Sequence, residues 1–114
     1  MSGTSSRRPD NTHVGAVQKE DGTWELDMAE QTRAVILNIS RILQAAGAEL
    51  HHLVSFTVFL ARDFSKFGEF NRVYNEFFDP ETGPTRTTVA VAALPHPNLL
   101  IEIQATAVDP ESNQ

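Results

Sequence analysis

The sequence predicts an α+β fold in which two helices lie on one face of a mixed, mostly antiparallel sheet. Three observations predict it. Two stretches, 27–46 and 64–78, repeat apolar residues at helical spacing; three others, 52–61, 85–93 and 99–108, alternate with period two; and a hairpin-like segment precedes them all. The order is strand, strand, helix, strand, helix, strand, strand. With 114 residues, 40% of them hydrophobic, the chain can bury one modest core, so a single domain over 1–114 is expected.

Each element has a local reason. "VGAVQKEDGTWEL", residues 14–26, reads as a hairpin because Asp21-Gly22 supplies the positive φ of a tight turn. Asp27, with Glu30 three residues on, opens a helix that Gly47 stops. Met28, Thr32, Val35, Ile39, Ile42 and Ala46 form its apolar stripe, widened by Ile36 and Leu43, while Arg33, Asn38, Arg41 and Gln44 take the other side. "HLVSFTVFLA" is a strand with one face buried and the other half-buried. In "FSKFGEFNRVYNEFF", Phe67, Phe70, Tyr74 and Phe77 line one side of a second helix, which Asp79-Pro80 ends.

The last third reads as two strands joined by "LPHPN". If they pair even residue to even residue, Arg86, Thr88, Glu102 and Gln104 share a face, and the apolar odd-numbered face lies under the helices. Thr88, Ala90, Ala92 and Thr106 make the even face small rather than charged, so other subunits are expected to cover it. The first twelve residues and the closing "DPESNQ" read as loose polar tails.

Composition excludes several functions. The net charge of −6 and nine scattered Lys and Arg residues argue against nucleic acid as a partner. The absence of cysteine removes disulfides, thiolate nucleophiles and thiolate metal sites. No apolar run reaches membrane-spanning length, and the polar start lacks a signal peptide's hydrophobic stretch, so a soluble, cytoplasmic protein without a membrane partner is expected. His51 and His52 are adjacent and so point apart on a strand, and His13 and His96 fall in loops without ligand spacing; no metal is expected. Ser2, Ser5 and Ser6 lack histidine and acid partners for hydrolase chemistry, and no glycine-rich phosphate loop is present.

Arg86 and Glu102 are the residues that demand a reason, because each sits in a strand where burying a charge is costly. They could pair as a structural salt bridge. Alternatively Arg86 grips a carboxylate with its planar fork while Glu102 acts as general base or water holder. Spacing does not decide between these.

"GPTRTTVAVAALPHPNLLIEIQATAV" resembles the C-terminal signature of the Rid (YjgF/YER057c/UK114) family, in which a Pro-x-Arg segment, a Leu-Pro turn and an Ile-Glu-Ile strand recur together. "FTVFLARDFSKFGEFNRVYNEFF" resembles the strand and helix that precede it, and "SGTSSRRPDNT" is most like the 2-aminomuconate deaminase branch. The resemblance implies a chorismate-mutase-like subunit in a homotrimer, with sheets forming a central barrel and ligand clefts between subunits. It also implies cofactor-independent deamination of enamine or imine carboxylates. Arg86 would grip the substrate carboxylate and Glu102 would position or activate water. Ser2, Gly3, Phe70, Asn71, Tyr74 and Thr88 would lie along the cleft, and Arg7 or Arg8 would anchor the second acid group of a dicarboxylate.

The implied reaction is 2-aminomuconate to 4-oxalocrotonate and ammonia. The alternatives are a 2-iminobutanoate or 2-iminopropanoate deaminase of the general type, or a non-catalytic trimer that binds carboxylate metabolites. Two departures from the family pattern stand out. Thr88 replaces the cysteine that the imine-deaminating branch often carries two residues after the arginine, and the family strand before the Ser-Gly step is expected to be missing.

Overall fold

A computed structural model of the chain describes residues 3–108. Its elements are β1 (Ala16–Gln18), β2 (Trp24–Leu26), α1 (Met28–Ala45), a single 3-10 turn (Leu50–His52), β3 (Leu53–Ala61), α2 (Phe67–Phe77), β4 (Thr85–Val91) and β5 (Ile101–Ala107). The order is the one the periodicities predict. β1 and β2 pair antiparallel, but their connection is longer than a two-residue turn. Lys19 and Thr23 close it through a 2.7 Å backbone bond, and Gly22 alone takes a positive φ of 85°. The Asp21 carboxylate accepts from the amide and the hydroxyl of Thr23, which is why the acid precedes the glycine.

Asp27 caps α1 by accepting from the Glu30 amide at 3.0 Å, and Gly47, with φ of 79°, closes the other end. Val35, Ile36, Ile39 and Leu43 of α1 pack with Phe70 and Tyr74 of α2 over the even-numbered side chains of β3, where Phe56, Val58 and Leu60 are buried. Gln31 is wholly buried and sews three segments together. Its side-chain amide donates to the carbonyls of Asn98 and Gly15, and its oxygen accepts from the Leu100 amide.

The three-stranded sheet has the order β4-β3-β5, with β4 parallel and β5 antiparallel to the central β3. α2 is the crossover that parallel pairing of β3 and β4 requires. This corrects the expected pairing of the last two strands, because they are not neighbours. Phe56 of β3 stands opposite Arg86 on one side and Ala105 on the other, while Phe59 stands opposite Glu102. Side chains alternate along β3, so Arg86 and Thr88 lie on the helix-covered face and Glu102 and Gln104 on the opposite one. The odd-numbered residues Ile101, Ile103 and Ala105 of β5 are buried under the helices as predicted, but in β4 it is the even-numbered set that faces them.

The start of the chain is not a loose tail. Thr4 exchanges two backbone bonds with Ile103, at 2.8 and 2.9 Å, along the outer edge of β5. Ser6 is completely buried, and the Asn38 side chain of α1 donates to the carbonyls of Ser5 and Arg7. Ser2 and the "DPESNQ" segment lie outside the described residues. Among the described residues no helix is long and apolar enough to cross a membrane.

Candidate functional site

Arg86 projects from β4 toward α2 and is half-buried. Its guanidinium carbon lies 4.7 Å from the ring centre of Tyr74, 5.3 Å from that of Phe70 and 5.7 Å from that of Phe67. Nη1 donates to Asn71 Oδ1 at 2.8 Å. The aromatic stripe that α2 needs for core packing thus also supplies a platform of π faces, which favours a planar cation. Among the described residues Arg86 has no carboxylate partner, since the ion pairs there are Arg33 with Glu76 and His51 with Glu49. A guanidinium has five N–H donors, and one is used here. The others border a cleft of about 520 Å³ lined by Asn71, Tyr74, Asn75, Pro84 and Thr85. Asp79, at its rim, is occupied capping the Glu81 amide at 2.8 Å.

Phe70 is wholly buried and Tyr74 nearly so, so these two support the guanidinium from beneath. Burial pushes the Tyr74 hydroxyl above its ordinary pKa, partly offset by the Arg86 charge. Thr88 follows Arg86 on the same face, opposite Val58, and is half-buried.

Glu102, whose side chain is on the face opposite to Arg86, borders a second cleft of about 730 Å³ at the β5 edge, which residues 3–13 and α1 also line. Gly3 lies against it so closely that a Cβ there would overlap the Glu102 carboxylate. A Cβ here would have to push the flexible end of Glu102 aside, so the glycine lets the N-terminal arm, residues 3–14, pass close to the acid. Arg7, Arg8, Arg41, His13 and His96 line the same cleft. The His13 and His96 rings stack with centres 4.4 Å apart.

The structure therefore brings Arg86 together with Phe70, Asn71, Tyr74 and Thr88, and Glu102 together with Gly3, Arg7 and Arg8. It does not bring the two sets together within one chain. The salt bridge between Arg86 and Glu102 that spacing allows is absent, for the reason of register given above. Arg41, His13 and His96 were not singled out by sequence reasoning as ligand contacts. Their one signal was that Asn38 and Arg41 sit one turn apart on the polar side of α1, which says nothing of the arm that docks there.

The fold and these clefts define a small α+β protein with ligand-sized openings beside both edge strands of its three-stranded sheet. The family model described as Endoribonuclease L-PSP matches residues 10–109. A RutC family protein of Pyrococcus abyssi is 46% identical over 97 residues, covering 82% of this chain and 74% of its own length. TdcF of Escherichia coli, which carries the name of a reactive intermediate deaminase, is 37% identical over 91 residues, covering 78% and 69%. Its crystal structure with bound serine superposes with a TM-score of 0.73 at 33% identity, covering 95% of this chain and 77% of that one. The structure of yeast Mmf1 gives 0.77 at 33%, covering 95% and 77%. The chain belongs to this family, the YjgF or Rid family.

Proposed function

We propose that the protein is a cofactor-independent deaminase of an enamine or imine carboxylate, working in a homotrimer in which Arg86 of one subunit and Glu102 of the next face one substrate. The observation that carries this reading is the Arg86 guanidinium, held over aromatic rings and bonded to Asn71, lining a cleft and without an ion-pair partner among the described residues. Such a fork is suited to a bidentate carboxylate. The family supports the same chemistry, since a relative carries a deaminase name and its structure holds serine, a carboxylate-bearing ligand.

In this reading the enamine tautomerises to an imine whose neighbouring carboxylate lies on Arg86. Glu102 takes a proton from water as the hydroxyl adds to the imine carbon and passes it to the nitrogen, giving a carbinolamine; it then carries the hydroxyl proton to the same nitrogen as the C=O bond forms, the C–N bond breaks and ammonia leaves. Imine and water become ketone and ammonia, with no electrons gained or lost and no cofactor required.

For the particular substrate we favour 2-aminomuconate, giving 4-oxalocrotonate. Support comes from Thr88 at the position where the small-imine branch often has cysteine, and from the "SSRRPDN" segment being docked beside Glu102. The likeness to TdcF favours a second reading, in which smaller imines such as 2-iminobutanoate are the substrates. Initial rates of ammonia release from 2-aminomuconate and from imines generated from threonine separate the two. Saturable binding of both with no ammonia release would sink the deaminase reading and leave a carboxylate-binding trimer.

A further inference from the structure

The cleft beside Glu102 holds an unusual collection of cations for a chain of net charge −6. Arg7 Nη1 donates to Asn11 Oδ1 at 3.3 Å, Arg8 Nη1 to Thr12 Oγ1 at 3.1 Å, and Arg41 Nη1 to Asn38 Oδ1 at 2.7 Å. All three acceptors are neutral. The acid nearest in sequence, Asp10, is turned into its own turn, where it accepts from the amide and hydroxyl of Thr12 at 3.0 and 2.6 Å. Those bonds hold its carboxyl below the usual range. Among the described residues, then, three exposed arginines line one cleft with no carboxylate ion-pair partner, and each guanidinium retains unused donors.

The backbone that carries Arg7 and Arg8 is held in place, while the arginine side chains themselves are exposed. The arm is tied to α1 by Asn38, to β5 by Thr4 and to itself by the bond from the Val14 amide to the Ser6 carbonyl at 3.0 Å. His13 is buried beneath it, stacked on His96. Burial first, and then the nearby His96, Arg7 and Arg8, hold His13 below its ordinary pKa. The one carboxylate lining the cleft is Glu102. At about 730 Å³ the space falls within the range of ordinary small-molecule sites and exceeds what water and a small imine need.

We infer that Arg7, Arg8 and Arg41 form a second anion subsite for the distal carboxylate of a dicarboxylate substrate, whose reacting carbon lies at Glu102. The inference rests on the deaminase reading for the identity of the reaction, but the subsite itself can be tested without turnover. It makes Arg41, a residue of the helix's polar side, a determinant of specificity together with the arm.

Two unreactive probes isolate the distal group. Muconate has a carboxylate at each end of a six-carbon diene, and sorbate has the same diene with one carboxylate. Calorimetric titration of the full-length protein should show muconate binding at least tenfold more tightly than sorbate. Arg8→Gln and Arg41→Gln should each weaken muconate roughly tenfold and leave sorbate within about twofold, since only the distal charge-assisted contact is lost. Thermal melting and gel filtration confirm that the variants remain folded and assembled. Equal affinity for both probes in the unaltered protein would overturn the subsite, as would variants that weaken both probes alike. Ammonia release by the unaltered protein is measured alongside. Preference for muconate without turnover of any enamine sinks the deaminase reading and supports the subsite; turnover without that preference does the reverse.

Discussion

Two inactive variants of this protein should restore one another. Arg86 and Glu102 stand on opposite faces of the sheet, on the two strands that flank β3. If both act on one substrate, they must come from different subunits. Arg86→Ala removes two charge-assisted hydrogen bonds of about 1.5–3 kcal/mol each, or roughly 3–6 kcal/mol together. That is about a 10²- to 10⁴-fold loss in kcat/KM. Glu102→Gln removes the proton acceptor. In a cyclic assembly formed at random from equal amounts of the two variants, each junction has an intact glutamate on one side with probability one half and an intact arginine on the other with probability one half. About one quarter of the junctions should therefore be complete. Among trimers purified through two different tags, which excludes the uniform species, the fraction rises to about one third. Either value lies more than tenfold above both parents. The assay is ammonia release per junction by co-expressed, doubly tagged oligomers, with mixed composition verified by intact-mass measurement. Mixed oligomers no more active than the parents would refute the composite site.

Arg86→Lys keeps the charge but not the planar fork, so kcat/KM should fall by about tenfold to a hundredfold while circular dichroism is unchanged. Gly3→Ala should displace the flexible Glu102 carboxylate, lowering kcat more than it changes KM and altering unfolding free energy by no more than about 0.5 kcal/mol. Gln31→Leu strips the Asn98 and Gly15 carbonyls of a donor and the Leu100 amide of its acceptor; urea unfolding at fixed protein concentration should show a loss of about 2–4 kcal/mol. His13 has a folded-state pKa below its ordinary 6.5, so below that pH the unfolded chain binds the proton more readily than the folded one. The contribution of His13 to stability should be complete above pH 6.5 and decline as pH falls, a slope in melting temperature that His13→Gln flattens.

What was legible in the sequence, and what was not, divides along the range of the interactions. α1 begins at Asp27 and stops at Gly47 because a cap and a left-handed residue act within a few positions, and both can be read directly. The alternation in β3 and the aromatic stripe of α2 are local periods as well. Period two tells which side chains of one strand share a face, but not the parity between strands. That parity depends on β3 lying between β4 and β5, so Arg86 falls opposite Phe56 while Glu102 falls opposite Phe59. No local signal marks it. The arm was misjudged for a related reason. Its polar composition is that of a tail, yet Thr4 finds its backbone partner at Ile103, and Ser5 and Arg7 find theirs in Asn38. Partners so distant in sequence leave no trace in the arm itself.

The placement of the cations bears on what the clefts are built to hold. A polyanion such as RNA is gripped by Lys and Arg spread along a continuous track, one contact per phosphate. Here Arg33 is paired with Glu76, Arg86 lies over Tyr74 beside β4, and Arg7, Arg8 and Arg41 line the cleft at the β5 edge beside Glu102. A carboxylate among the guanidinium groups would repel a phosphate chain, yet it is what water addition requires. Separate clefts at opposite edges of the sheet, one beside β4 and one beside β5, suit short anions with charges at their ends. In the proposed reaction, the register that puts Arg86 and Glu102 back to back is therefore the same feature that would call for a second copy of the chain.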